Sequence, residues 1–588
     1  MKILVFVVLV LFVVSCGKKY NPEITVKDLK ANIEYLASDS LKGRKPGKEG
    51  GLLAAKFIRE KFENAGLELM FDNGFQKFNL ITSAEIGEGN SMTVNGKSFE
   101  VENDFLPYAF SSNTKAEGDV VFAGYGLQIN VEKAKWDDYK DVDVAGKWVL
   151  ILQGDPDMEN AESPFVQFST ERAKALNASD NKAAGLILVA GPTFSKTDNL
   201  PKLFFDKDTR RYSFPIIQVT REVANEMLTG TGETITSLES KMLDKKAPVS
   251  LTADSKVAVK VQVNLKEIET QNVVAMVSGN DPILKDQYVV VGAHYDHLGM
   301  GGPGSGSRAI DTIAVHNGAD DNASGTASVI EMAEKMASEK SNKRSVIFVA
   351  FGAEEMGLLG SKAFAANPPV AIEKIVTMFN LDMVGRLDSA SNALSIGGTK
   401  TAKETEDILN KLNTGFSLSF SGEGVGPSDH ASFYLQDIPV IYLNTGAHSD
   451  YHTPADDAEL INFEGVKKVN EYCYKLLSEI ATRDSVLTFQ EAGPKFKRSK
   501  GGRYKVTLGI MPDFAGMEKR GLRIDAVTKG KPAYNGGMKK GDIITAIEGK
   551  KVGGIHDYMS RLQALEAGSI ITVDIIRNDE HTVLLIQL

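Results

Sequence analysis

The chain has 588 residues, which at roughly 150 residues per domain is material for several units, or for fewer if one of them is a large α/β domain. With 42% hydrophobic and 24% charged residues the composition is that of a globular protein, and collagen-like, wholly disordered and multi-span membrane classes are excluded. Its 67 basic and 77 acidic residues sum to a net charge of −10, so the chain as a whole offers no attraction for nucleic acid.

After Lys2, residues Ile3 to Val14 form an unbroken apolar run, long enough for the core of a signal peptide and too short to cross a hydrocarbon layer of ~30 Å. The run ends in Val13-Val14-Ser15-Cys16, which resembles the lipobox of bacterial lipoproteins. The resemblance implies cleavage before Cys16, lipidation of its thiol and an exported chain anchored to the cell envelope, at the outer membrane; a plain secretory peptide is the alternative. Cys473 is then the one cysteine left, so the mature chain has no intrachain disulfide and relies on packing, metal or both.

From Thr25 to about Ala65 apolar residues fall at helical spacing: first Leu29, Ile33, Leu36 and Ala37, then the run LLAAKFIREKF. From about Gly118 the texture changes to short β runs, VVFAGYG, KWVLILQ and GLILVAG, as far as about Ala253. These segments resemble the protease-associated domain, a β-rich module, here expected as an insertion over 111–255 between an N-terminal part (25–110) and the main part (265–483) of one domain. In that main part apolar strands alternate with amphipathic helices, which predicts an α/β fold with a mostly parallel, mixed sheet flanked by helices. Residues 484–505 are polar and basic and read as a solvated linker, with binding to anionic lipid as the alternative.

The last segment, 506–588, resembles a bacterial PDZ domain through GLRIDAVTKGKPAYNGGMKKGDIITAIEGKKV. In that family a Gly-containing loop before a strand receives a peptide C-terminus, which maps to Leu508, Gly509 and Ile510. Internal docking of this domain is the alternative.

Six of the eight histidines fall between His294 and His452, the same stretch in which acidic motifs follow apolar strands. In an open α/β sheet that places them at the strands' carboxyl ends, where ligands bind. After YVVVGA comes His294-Tyr295-Asp296-His297; strand alternation puts His294 and Asp296 on one face, so that the carboxylate orients the imidazole, and turns His297 away from the ligands. In HNGADDNASG, Asp320-Asp321 precede a helix and read either as its N-cap or as a metal bridge. After SVIFVAFGA, Glu354-Glu355 offer one carboxylate for a metal and a neighbour free to move a proton. Asp382 follows IVTMFNL, and His448 and His452 follow PVIYLNTG. The donor set of nitrogen and oxygen suits zinc, with manganese or cobalt as substitutes.

GAHYDHLG, HNGADDNASG, FGAEEMGLLGS, NLDMVGR, SDHASF and YHTPAD resemble, in order and spacing, the secreted double-zinc aminopeptidases, a family that also holds glutamate carboxypeptidases and glutaminyl cyclase. LKGRKPGKEGG at 41–51 is similar to its N-terminal segment. The resemblance implies two zinc ions per chain: Asp320 as their bridge, His294 and Asp382 on one, Glu355 and His452 on the other. It also implies Glu354 as general base and a cis peptide between Asp320 and Asp321. Asp429 and His430 are expected to line the pocket or to pack beside it, and no oxyanion donor stands out. The Gly-rich stretch 299–308 lacks the Lys-Ser/Thr ending of a phosphate loop and is expected as a mobile rim of the site.

The activity so implied is removal of N-terminal residues from peptides with a free N-terminus. Two alternatives stay open: a carboxypeptidase or dipeptidase, for which Arg386 would receive the substrate carboxylate, and an inactive peptide-binding scaffold.

Overall fold

The computed structural model describes residues 20–131, 134–160, 163–206, 210–493, 506–512, 518–563 and 565–588. The expected leader with Cys16, and residues 494–505 of the expected linker, lie outside them. The chain forms two compact units, one from residues up to Phe78 with Thr270–Gly493, the other from Asn79–Glu269 with the residues from Pro494 onward. The insertion therefore starts ahead of residue 111. Strands Ser91–Val94, Lys97–Phe99 and Phe105–Pro107, expected in the first domain, pair into the second unit's sheet. Residues 484–493 are not a solvated linker either: Thr488 donates to Glu404 and Phe489 bridges Ala402 in the first unit.

In the first unit a nine-stranded mixed sheet has four parallel strands at its centre, in the order Ser345–Phe351, Tyr288–His294, Ile375–Leu381 and Val440–Asn444. Their unbroken Val, Ile and Phe runs suit burial on both faces. Alternation sends Val289 and Val291 into one core, with Phe348, Phe379 and Leu381, and Val290 into another, with Ile347, Met378, Val440 and Phe433. Helix Gly325–Glu339 covers the first face beside Val26–Leu36, whose N-cap Thr25 accepts from the amide of Asp28, and Phe463–Thr482, capped by Asn462. All four central strands run the same way, so the residues that follow them gather at one edge of the sheet.

In the second unit an eight-stranded sheet holds the insertion, with cores on both of its faces. The C-terminal segment folds around its own core of Leu508, Ile524, Ile544, Val573 and Ile586. Among the described residues no helix is long and apolar enough to cross a membrane. Cys473 is buried, and burial pushes its thiol up to about 12, which leaves it inert.

One buried feature lies apart from the strand ends. Glu331 and Glu334, 2% and 3% exposed, share helix Gly325–Glu339, and Glu331 accepts from Asn32 at 3.0 Å. Burial, then the charges of Glu334 and Asp28, raise Glu331 to about 8. The unfolded carboxyl releases its proton near 4.5 while the folded one holds it to about 8, so this group leaves stability untouched below 4.5 and erodes it as pH rises between those values. Glu331→Gln keeps an acceptor for Asn32 and removes the titration. Its melting temperature should gain on the wild type between about pH 5 and about pH 8 in thermal melts at fixed metal content; a gap that does not change with pH would contradict this account.

Candidate metal centre

His294 ends its strand and is 1% exposed. Its Nδ1 lies 3.2 Å from the carbonyl oxygen of Asp296, an acceptor, so Nδ1 carries the proton and Nε2 presents a lone pair. That lone pair faces Asp321 Oδ1 at 3.2 Å, Asp382 Oδ1 at 3.4 Å and Glu354 Oε2 at 3.9 Å. His452 is built the same way. Nδ1 is 3.1 Å from the carbonyl of Gly306, and Nε2 faces Asp321 Oδ2 at 3.1 Å and Glu355 Oε2 at 3.2 Å. His297 Nδ1 joins this second group, 2.7 Å from Glu355 Oε1 and 3.8 Å from Asp321 Oδ2. The two oxygens of Asp321 thus look into two separate clusters. His294, Asp321 and Asp382 form one and His297, Asp321 and Glu355 the other, each with its donor atoms within 4.8 Å of one another.

These donors fit two divalent cations. Asp321 and Asp382 are buried, Glu354 and Glu355 are largely covered beside them, and the lone pairs of buried His294 and partly covered His452 are aimed among these carboxylates; such an arrangement calls for positive charge at its centre. Burial, then the charges of Glu355, Asp429 and Asp382, hold the Glu354 carboxyl well above its ordinary range, against the pull of His294. A cation between these groups reverses that shift.

Several expectations need correction. The bridging position belongs to Asp321, not Asp320. Asp320 Oδ1 accepts from the Gly385 amide at 2.6 Å and from Ser324 Oγ at 3.1 Å, and Oδ2 lies 3.2 Å from His448 Nε2, so its carboxylate is spent on the turn. The cis peptide correspondingly joins Asp321 to Asn322. Neither aspartate caps the helix; Asn322 Oδ1 does, accepting the Gly325 amide at 2.9 Å. Asp296 does not hold the His294 ring with its carboxylate, which is 3.8 Å away; it accepts instead the amides of Glu354 at 2.9 Å and Glu355 at 3.4 Å and fixes that turn. His297 turns toward the ligands because the strand stops at His294 and alternation no longer governs the residues after it.

Arg386 is an ion-pair residue, 3.2 Å from Asp450 and 3.5 Å from Asp456. His430 packs: it is 1% exposed, stacked on Tyr442 at 4.4 Å, and burial lowers it to about 3. Asp429 is fully buried, and burial raises it to about 7. The Gly-rich stretch is tied to the centre by the Gly306 carbonyl and by the Arg308 amide, which donates to the His452 carbonyl at 2.9 Å.

Three residues were missed. Asp456, fully buried, accepts the amides of both Asp320 and Asp321 at 3.0 Å through Oδ2. Tyr451 stacks on His452 at 3.8 Å, and burial with the charges of Asp321 and Glu355 raises its phenol, which stays a hydrogen-bond donor. Arg44 reaches the loops beneath the centre from the N-terminal segment. The Asp four residues after His452 and the Tyr before it were visible in the sequence, but nothing in their spacing gave their roles.

Residues 272–477 match the profile of peptidase family M28 and residues 506–588 that of the PDZ domain. The chain is 26% identical over 341 residues to Aminopeptidase YwaD of Bacillus subtilis (strain 168), a match covering 56% of this chain and 61% of that protein. It is 25% identical over 234 residues to Aminopeptidase Y of Saccharomyces cerevisiae, covering 37% and 40%. The chain thus spans less than two thirds of the length of these curated relatives. Among solved structures it is similar to an aminopeptidase from Aneurinibacillus sp. strain AM-1, with a TM-score of 0.45 at 20% identity over 80% of this chain and 96% of that one.

The corrected bridge separates two neighbouring substitutions. Asp321→Asn should abolish tight binding of both metal ions, whereas Asp320→Asn should keep two ions at reduced affinity, as read by metal content after dialysis. Equal loss from both would restore Asp320 as a ligand.

Proposed function

We propose that this chain, whose residues 272–477 form a domain of peptidase family M28, is a zinc-dependent exopeptidase that removes residues from the free N-terminus of peptides. The observation that carries the reading is the carboxylate of Asp321 shared between two clusters of metal donors, with Glu354 beside them. His294, Asp321 and Asp382 would hold one zinc ion, and Asp321, Glu355 and His452 the other, with His297 against Glu355. A pair of zinc ions supplies Lewis acidity for the scissile carbonyl and brings the pKa of water from about 15.7 toward 7.

The remaining work falls to side chains. Glu354, 11% exposed at the side chain, can take the proton of the attacking water and return it to the leaving amine. Asp296 holds it in place by fixing the Glu354 and Glu355 amides. To Tyr451, which stacks on His452 and whose phenol burial keeps protonated, we assign the donor to the carbonyl oxygen as charge develops there. The opposite polarity, a carboxypeptidase, loses its candidate cation, because Arg386 is already shared between Asp450 and Asp456. A scaffold reading would have to explain why base and ligands are all retained.

Two further parts of the proposal concern the rest of the chain. Leu508 and Gly509 precede, and Ile510 opens, the strand Ile510–Pro512, and by the general habit of PDZ domains this segment would receive a peptide C-terminus by strand addition. Export and lipid anchoring at Cys16 rest on the apolar run and the Cys of the sequence alone; Cys16→Ser should move the protein from the membrane to the soluble fraction.

The direct test is a panel of aminoacyl chromogenic amides, before and after chelation and zinc repletion. Free-amine substrates should be cleaved in a zinc-restored manner and N-blocked ones spared; cleavage of blocked substrates from the carboxyl end would replace the reading. Glu354→Gln should lower kcat by about 10² to 10⁴ with metal content unchanged. Tyr451→Phe should cost about 10² to 10³, mostly in kcat.

A further inference from the structure

Arg44 is fully buried on the N-terminal segment, far in sequence from every metal donor. Its guanidinium meets only backbone carbonyls. Nε donates to Tyr295 at 2.7 Å, Nη2 to Gly318 at 2.9 Å, and Nη1 to both Leu36 and Asn317. Tyr295 sits between His294 and Asp296. Asn317 and Gly318 lead directly into Asp320 and Asp321. One planar cation therefore spans the two loops that carry His294 and Asp321, two donors of the same cluster.

The backbone that delivers it is unusual. Lys42, Gly43 and Arg44 have φ of 46°, 67° and 48°, three successive residues in the left-handed region, two of which pay a steric penalty there. Gly43 has no alternative: a Cβ would lie 2.4 Å from the Gly299 carbonyl and 2.6 Å from that of His316. The Gly43 carbonyl accepts the Gly299 amide at 3.0 Å, and that of Arg44 accepts the His297 amide at 3.4 Å, so the segment is laced to the residues just past His294. A strained turn and a buried cation thus occur together beside the loops that carry His294 and Asp321. Asp456 takes the Asp320 and Asp321 amides, so the turn is held by an acceptor as well as by a donor.

We propose that Arg44 is a positioning residue of the metal centre, setting the separation of His294 from Asp321 by tying the carbonyls of Tyr295, Asn317 and Gly318 to one guanidinium. Four N–H groups in a fixed plane reach four carbonyls, an arrangement a Lys ammonium cannot copy, with three donors on one atom. Asp321, Asp296, Asp456 and Glu355 surround it and favour its charge, although burial still lowers it, to about 10. The inference rests on the metal reading above.

The test measures zinc affinity of the full chain by competition with a chromophoric chelator, beside cobalt absorption spectra and thermal melts of the metal-free protein. Arg44→Lys, which keeps the charge, and Arg44→Gln, which removes it, should each weaken at least one zinc ion by about 10- to 100-fold and alter the cobalt spectrum, with kcat falling more than KM rises. Lys42→Ala, on the same turn with an exposed side chain, should bind zinc as the wild type does. In Arg44→Ala, methylguanidinium should recover zinc affinity and methylammonium should not. Variants that melt earlier yet keep wild-type zinc affinity and spectra would make Arg44 a merely structural brace and overturn the proposal. A wild-type chain that binds no zinc would instead remove the metal reading itself.

Discussion

The centre depends on one carboxylate placed where its two oxygens serve different neighbours. Asp321 Oδ1 faces His294 and Oδ2 faces His452, 3.2 Å and 3.1 Å away, so a small rotation of that side chain would dissolve both clusters at once. Much of the surrounding structure reads as a means of preventing it. Asp456 holds the Asp321 amide, Asn322 caps the following helix and also reaches the Leu381 carbonyl at 2.9 Å, and Asp320 is pinned to Gly385 and Ser324. A donor aimed to within a few tenths of an ångström needs neighbours locked by their own hydrogen bonds.

The sheet supplies the coarse placement. His294, the Glu354–Glu355 turn and Asp382 follow three adjacent parallel strands, and His452 lies beyond the fourth, so donors distant in sequence arrive at one edge without long excursions of chain. Strand ends alone leave each side chain free to turn, and the fine placement comes from polar groups that are not donors themselves. Asp296 is the example. Its carboxylate is buried and raised to about 6, and it is spent on two backbone amides rather than on an ion.

This division explains which parts of the centre the sequence disclosed. An apolar run followed by His, Glu-Glu or Asp marks a strand end with chemistry on it, and the side chains of His294, Glu354, Glu355, Asp382 and His452 gather around Asp321 at the sheet's edge. The choice between Asp320 and Asp321 was not legible, because both stand in one irregular turn before a helix, where a single residue of rotation exchanges bridge and brace and no periodicity applies. His297 was misread for a related reason: the two-residue alternation of a strand was extended past the strand's last residue. The insertion's start was set too late because the strands from Ser91 to Pro107 are three and four residues long and carry little pattern. The contacts of Arg44, which lies in the N-terminal segment LKGRKPGKEGG, were not legible, since backbone carbonyls at residues 295, 317 and 318 leave no mark on the sequence.

The charge arrangement links occupancy of the centre to the state of its base. Without a cation, burial and the neighbouring Glu355, Asp429 and Asp382 favour a protonated Glu354, which cannot accept a proton from water. Two unit charges 4 Å apart interact by about 4 kcal/mol at an effective dielectric near 20, so a dication at such a distance outweighs any one of those carboxylates. Zinc held by Asp321, Glu355 and Asp382 would therefore do more than polarise a carbonyl: it would restore the ionised Glu354 that the proposed reaction needs. In the proposed mechanism the carboxylates that would gather the ions and the carboxylate that would move the proton have to be neighbours for this coupling to work, and adjacent glutamates at the end of one strand meet that requirement directly.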